Sequence, residues 1–440
     1  MKLLLTGDIH LGRSSSGLSG IEGVDGSAAG AWLRIVDMAI AEGVAAVLVS
    51  GDLVDAQNRY FEATAPLQRG IARLSDAGIE VFAVAGNHDH NVTPALLRFH
   101  GQQGHKVSIL GAGGIWQARD IVRGNDAVRI VGWSFPTEHV GHDPTARFPD
   151  DELSGGGIPV IGMVHGDLDV PDSRYAGLSS ARLESLGVQG WLLGHIHSQR
   201  MRAPDGCPWI LYPGSPQALD AGEPGQHGAW LVETVSGALQ QPRFVPLSTV
   251  HYAAAEVSLS GAASADEVRT QIQSGIQRTV ERFALPDSVG AVVLDVELVG
   301  ESLLVDEVVK AGRELADETL IAPGVEVKVR TVANRVAPPL PLDELAKGRG
   351  IVAALARAIV GIERGDVTSA GDSAALMHAV EEAVRRRPLE GMVMDGDREV
   401  QMPLTDQEIR SSAAAAARRL LSAIVRRGGP GSPEVRGDLA

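Results

Sequence analysis

Five short blocks carry side chains able to do chemistry: Gly7-Asp8-Ile9-His10, Gly51-Asp52, Gly86-Asn87-His88-Asp89, His165-Gly166-Asp167 and Gly194-His195-Ile196-His197. One block alone carries little weight, because an Asp can cap a helix and a His can satisfy a backbone group. Five in order, each punctuated by Gly, argue against coincidence. They supply carboxylates, imidazoles and one amide but no thiolate, a donor set that suits Mn²⁺, Fe or Zn²⁺ better than Ca²⁺ or Cu⁺. The number of donors implies two ions. In Asp8-Ile9-His10, alternation along an extended segment puts both side chains on one side, so they can hold one ion together. The same geometry lets His195 and His197 serve neighbouring ions. Asp52, with two carboxylate oxygens, is the natural bridge, and Asn87 adds a neutral oxygen where more negative charge would repel a phosphate.

These blocks need elements that end where the side chains must meet. Leu3–Thr6 is an apolar run ending in Gly7-Asp8, Ala45–Ser50 ends in Gly51-Asp52, and Ile79–Ala85 ends in Gly86-Asn87. Such runs predict buried strands. Helical patterns lie between them, around Ala31–Glu42 and Phe61–Ala77, as in layered α/β folds. Ala127–Val131, Pro159–Val164 and Gly190–Leu193 repeat the pattern ahead of Gly132-Trp133, His165-Gly166 and Gly194-His195. In such sheets ligands gather at the carboxyl ends of the strands. The Gly- and Ser-rich segment Gly12–Gly30 reads as a mobile loop beside the first block.

The chain has 440 residues, 44% hydrophobic and 21% charged, too long for one small module and enough for two or three domains. Its 39 Lys and Arg against 55 Asp and Glu give a net charge of -16. That excludes coating nucleic acid by bulk attraction, so any polyanion must be met locally, by a metal or a patch. The single Cys207 can form neither an internal disulfide nor a thiolate metal site, so the expected compartment is the cytoplasm. Neither a signal peptide nor a membrane span is expected, since Asp8 interrupts the first apolar run.

After about residue 250 the pattern becomes a smaller α+β series. Tyr252–Leu259, Ala291–Val299 and Val325–Val332 read as strands. The helix after the first has a capping box, Ser264 with Glu267, and an apolar face of Val268, Ile272, Ile276 and Val280. Val336–Pro341 (VAPPLP) reads as a linker. Helical patterns follow at Leu342–Ile362, Ser373–Arg387 and Asp406–Arg427. The last has a capping box at Thr405 and Glu408 and a staple of Leu404 with Ile409. The expected division is 1–250, 251–334 and 335–440.

In this order GDIHLG, GDLVD, GNHD, HGD and GHIH resemble the calcineurin-like metallophosphoesterase superfamily over roughly the first half of the chain. The resemblance implies a two-sheet α/β sandwich with a dinuclear metal centre. Carried over, Asp8, His10, Asp52 and His197 would hold one metal, and Asp52, Asn87, His165 and His195 the other. His88 would be the catalytic imidazole, with Asp89 orienting it. The later run Leu211–Asp220 (LYPGSPQALD) followed by Gly228–Glu233 (GAWLVE) is similar to bacterial SbcD-type DNA repair exonucleases. That likeness implies phosphodiester hydrolysis on DNA with two divalent ions, Mn²⁺ first and Fe or Zn²⁺ as alternatives. It also implies a small capping domain, and C-terminal helices that dock an SbcC-type coiled-coil ATPase; a homodimer stays open. The competing expectations are a metallophosphoesterase acting on nucleotides or other small phosphodiesters, and a scaffold that kept the fold without catalysis.

Outside the blocks, Asp167 and Asp169 read as loop carboxylates or supports for ligands. Arg13 reads equally as a phosphate contact or a surface charge. Trp116, Trp133, Trp191, Trp209 and Trp230 read as packing residues.

Overall fold

The computed structural model describes residues 1–55, 60–149, 156–322 and 324–364, the segments Val393–Asp395 and Arg398–Val400, and several single residues from 414 to 425. Its first part is built on thirteen strands: β1 Lys2–Thr6, β2 Ala46–Val49, β3 Glu80–Ala83, β4 Val107–Ile109, β5 Gln117–Arg123, β6 Asp126–Trp133, β7 Val160–His165, β8 Gly190–Gly194, β9 Arg200–Arg202, β10 Trp209–Tyr212, β11 Gly228–Val235, β12 Ala238–Leu239 and β13 Arg243–Pro246. They form two sheets. One runs β12-β11-β1-β2-β3-β4 with β13 also on β11, and the other runs β5-β6-β7-β8-β10-β9. Strands β1 to β4 are parallel, as are β6, β7, β8 and β10. The outer strands β11, β5 and β9 are antiparallel to their neighbours.

Period-2 alternation explains why the central strands read as unbroken apolar runs. Leu3, Leu5, Leu48 and Phe82 face the other sheet and meet Ile130, Ile161, Met163, Leu192 and Leu211 in one core. Leu4, Val47, Val49 and Val81 face the opposite way. They pack on Trp32, Ile35, Val36 and Ala39 of helix α1 (Ala28–Glu42) and on Leu67, Ile71 and Leu74 of helix α2 (Tyr60–Asp76). Behind the second sheet, Val131, Val164, Trp191, Leu193 and Ile210 form a third core with Leu178 and Leu183. Helix α1 starts where Ser27 Oγ accepts from Gly30 N at 2.9 Å and stops at left-handed Gly43. This is the layered sandwich that the apolar runs predict. Trp133, Trp191, Trp209 and Trp230 are buried in it, as packing residues should be.

Four further strands, β14 Val250–Ser258, β15 Ala291–Val299, β16 Thr319–Ala322 and β17 Val325–Asn334, form a sheet ordered β14-β15-β17-β16. The helix between β14 and β15 spans Ala265–Arg282. Ser264 Oγ accepts from Glu267 N at 3.2 Å, and the Glu267 carboxylate accepts from Ala263 N at 2.8 Å, one residue before the cap that a standard box would use. Val268, Ile272, Ile276 and Val280 are buried as expected. The helical pattern at Leu342–Ile362 is two helices, Leu342–Leu345 and Ile351–Glu363, separated around Gly350, whose φ of 84° breaks the helix. Ala417 and Leu421, both helical, are buried with Leu342, Ala356 and Ile359. The expected helix Ser373–Arg387 and the capping box at Thr405 and Glu408 lie outside the described residues.

The chain divides into two compact units: Met1–Ala255 with Ile276–Val296 and Arg313–Val332, and Glu256–Gly275 with Glu297–Gly312 and Ala333–Ala440. The residues of the small sheet are divided between these units. Among the described residues no helix is long and apolar enough to cross a membrane.

Gly162 in β7 tests the packing of the second sheet, because a Cβ there would lie 2.3 Å from the Trp191 ring. Gly162→Ala is expected to lower the unfolding free energy by about 1–3 kcal/mol in urea denaturation. An unchanged midpoint would show that Trp191 does not pack across that glycine.

Candidate metal centre

The five blocks meet because β1, β2, β3, β7 and β8 end side by side. Beyond the regular strands the first two turns run on together: Asp8 N donates to Gly51 O at 3.0 Å, His10 N to Asp52 O at 2.9 Å, and Leu11 N to Leu53 O at 2.9 Å. Extended alternation is not what aims Asp8 and His10. Asp8, His10 and Asp52 have φ of 47°, 52° and 47°, and His195 has φ of 102°. These are left-handed conformations that cost side-chain-bearing residues energy, and they turn the side chains inward. The motif glycines follow from crowding. A Cβ on Gly86 would lie 2.2 Å from Asp52 Oδ1, and one on Gly194 would lie 2.0 Å from Ser50 O.

Possible ligands form three clusters among the described residues, one of them His10, Asp55 and His88, and the structure brings together all seven residues expected as metal ligands around the other two. In one, Asp8, His10 and His197 each offer a ligand atom within 4.8 Å of the others, and His10 Nε2 faces His197 Nε2 at 3.0 Å. The other joins Asp8, Asp52 and His165. Asn87 Oδ1 lies 2.9 Å from His165 Nε2 and 3.2 Å from His195 Nδ1. Asp52 Oδ2 stands between the groups, 3.9 Å from His10 Nε2 and 3.4 Å from His165 Nε2. Asp8 also belongs to both, which the single-bridge expectation did not include. His195 and His197 go to different groups, as their spacing suggests.

The electrostatics fit a cation site. Asp8, Asp52, His10 and His165 are almost wholly buried, and among the described residues neither carboxylate pairs with a Lys or Arg. In the metal-free chain, burial pushes the Asp8 carboxyl up to about 6 and raises Asp52 well above its usual range. Burial likewise pulls His10 down to about 4 and lowers His165 and His195. At neutral pH the imidazoles of His10, His165 and His195 are therefore lone-pair donors, whereas His197 is raised despite its burial by the Glu223 and Asp8 carboxylates. His165 Nδ1 lies 3.0 Å from Ser50 O, so it donates there and leaves Nε2 to face the site. Two ring nitrogens 3.0 Å apart beside buried carboxylates are a donor set that a divalent cation would satisfy.

His88 sits at the mouth, its side chain 37% exposed, with its ring edge-on to His10 at 5.0 Å. Asp89 does not orient it. The Asp89 carboxylate is fully buried and accepts from Gly86 N at 2.8 Å, Leu53 N at 2.8 Å and Thr93 Oγ1 at 2.7 Å. It ties the Asp52 turn to the Asn87 turn, a role set by backbone donors on both sides of it. The carboxylate beside His88 is Asp55, 3.6 Å from His88 Nδ1 and 3.4 Å from His10 Nδ1. Sequence reasoning assigned it no role, although it closes the GDLVD block. Glu223, 2.6 Å behind His197 Nδ1, was also missed; no spacing rule links it to a residue so distant in sequence. Asp167 supports His195, its Oδ1 3.4 Å from Nε2, whereas Asp169 accepts from Ser180 N in the loop. The Gly12–Gly30 segment is anchored rather than loose. Ser15 Oγ donates to Ala218 O at 2.6 Å, Ser16 N to Leu219 O at 2.9 Å, and Tyr252 Oη to Ser16 O at 2.6 Å.

Residues 1–199 match the calcineurin-like phosphoesterase family. The chain is similar to the uncharacterized metallophosphoesterase YhaO of Bacillus subtilis, 29% identical over 209 residues, which are 46% of this chain and 49% of that protein. It thus spans about half the length of that relative. It is also similar to the DNA double-strand break repair protein Mre11 of Sulfolobus acidocaldarius, 24% identical over 297 residues, 64% of this chain and 71% of that one. A dimetal phosphatase from Danio rerio aligns over 54% of this chain and 93% of its own at 13% identity, with a TM-score of 0.35.

Asp89→Asn separates the two roles for Asp89. Turning an amide NH₂ toward backbone N–H donors is expected to cost about 2–3 kcal/mol of unfolding free energy, read by chemical denaturation. Unchanged stability with lost turnover would return Asp89 to a catalytic role.

Proposed function

We propose that this chain is a metal-dependent exonuclease that hydrolyses phosphodiesters of DNA. The observation that carries the hydrolytic part is the pairing of His10 Nε2 with His197 Nε2 at 3.0 Å beside buried Asp8 and Asp52. The DNA part is supported by the similarity to a double-strand break repair protein, which runs over 297 residues and so extends past the match to residues 1–199.

Asp8, His10, Asp52 and His197 would hold one divalent ion, and Asp52, Asn87, His165 and His195 the other, with Mn²⁺ the first candidate and Fe or Zn²⁺ the alternatives. Ions there would polarise a phosphoryl oxygen and bring the pKa of water toward neutrality. The chain's own residues do the rest. His88 has Nδ1 turned to Asp55, so Nε2 is the nitrogen that meets the substrate at the open side of the site. From there it donates a proton to the leaving sugar oxygen or stabilises charge on the phosphate. The rigid strand ends fix phosphate and imidazole at one distance. With a net charge of -16, the protein's attraction for DNA is local to this site and to surfaces supplied by a partner. The same reading gives it a cytoplasmic location and a coiled-coil ATPase partner docked on the C-terminal helices.

Purified protein with Mn²⁺ is expected to release nucleotides from linear duplex DNA, and EDTA to abolish the release. His88→Ala should keep its metal content while turnover falls by about 10²–10⁴. Hydrolysis confined to small phosphodiesters, with DNA untouched, would overturn the nuclease reading and leave a small-substrate metallophosphoesterase.

A further inference from the structure

We infer that Glu223 is a positioning residue for the metal centre, fixing the tautomer and aim of His197, and that the run from Tyr212 to Gly228 is the frame that holds it. The inference rests on the metal-centre reading above.

His197 has two nitrogens with different surroundings. Nε2 faces His10 Nε2 at 3.0 Å, inside the group that includes Asp8. Nδ1 faces Glu223 Oε1 at 2.6 Å, a short contact between an imidazole N–H and a carboxylate. A carboxylate can only accept, so Nδ1 carries a proton, and Nε2 is the nitrogen left to offer a lone pair to a cation. Among the described residues, His197 is the ion-pair partner of Glu223.

The carboxylate is itself held on every side. Glu223 Oε2 accepts from Leu219 N at 2.9 Å and from Ser215 Oγ at 3.1 Å. His227 closes the ring, with Nδ1 3.0 Å from Ser215 Oγ and Nε2 3.1 Å from the Glu223 carbonyl. Ser215, Glu223 and His227 are all buried. The other site imidazoles are held differently: His165 Nδ1 meets a neutral carbonyl, His195 meets the less deeply buried Asp167, and His10 Nδ1 lies 3.4 Å from the buried Asp55 carboxylate, a longer contact. The 2.6 Å contact to Glu223 is the shortest of these and falls on the ligand that stands against His10. This accounts for a Gly-, Pro- and Ser-rich run that contributes no ligand of its own.

Glu223→Gln is the discriminating change. Its amide must turn NH₂ either toward Leu219 N–H, which is repulsive, or toward His197 Nδ1, which forces the proton onto Nε2 and blocks ligation. In calorimetric titrations with Mn²⁺, the variant should bind about 10–100-fold more weakly than wild type, and the thermal shift produced by Mn²⁺ should shrink. The melting temperature of the metal-free variant should stay close to that of the metal-free wild type. Equal Mn²⁺ affinity in both would overturn the inference while leaving the metal centre intact. A wild type that binds no divalent cation would instead refute the metal-centre reading and this inference with it. If the Gln variant does not fold, ¹⁵N spectra of histidine-labelled wild type loaded with Zn²⁺ decide the matter: the His197 proton on Nδ1 supports the assignment, and a proton on Nε2 refutes it.

Discussion

Two carboxylates, Asp8 and Asp52, are sealed from water at the end of a parallel sheet with imidazoles and an amide oxygen around them. Taking an ionised carboxylate out of water costs several kcal/mol unless an opposite charge accompanies it. Burial holds His10 and His165 neutral, and only His197, raised despite its burial by the Glu223 and Asp8 carboxylates, supplies part of that charge. A cation shared among these donors removes the conflict. Without one, the fold would have to protonate its own carboxylates.

The scaffold resists that conflict because the site is over-determined. The strand ends approach so closely that Gly86 and Gly194 admit no side chain, and four site residues are held in left-handed backbone. Asp89 links two of the turns through buried hydrogen bonds, and the His195 backbone N–H donates to Asp8 at 2.9 Å, joining β8 to β1. Such strain persists where surrounding structure enforces it, here the cores on both faces of each sheet. His88, the most exposed of the site imidazoles, is placed where a substrate can reach it.

The ligands were legible in the sequence because each follows an apolar run that can only be a strand covered on both faces, and strand ends converge. Local alternation was a poorer guide. It aimed Asp8 and His10 correctly but for the wrong backbone, since tertiary crowding selects the left-handed turn. The supporting carboxylates were misread for a related reason: sequence adjacency tied Asp89 to His88, while the contact was made by Asp55 from another turn. Glu223 reaches His197 through a fold-back between β10 and β11 that no periodicity announces. The Gly12–Gly30 segment looked loose from composition, yet its backbone bonds to the Ser215–Leu219 region and to Tyr252 hold it. After residue 250 the strands and the helix Ala265–Arg282 were legible from their apolar periodicity.

The central claim is that these strand ends form one site for two divalent ions. A crystal of the protein soaked in Mn²⁺ and measured at the metal's absorption edge tests it directly. Two anomalous peaks about 3.5–4 Å apart are expected, one against His10 and His197 and the other against Asn87, His165 and His195, with Asp52 touching both. Full occupancy of a single peak, or none within reach of Asp8 and Asp52, would contradict the account.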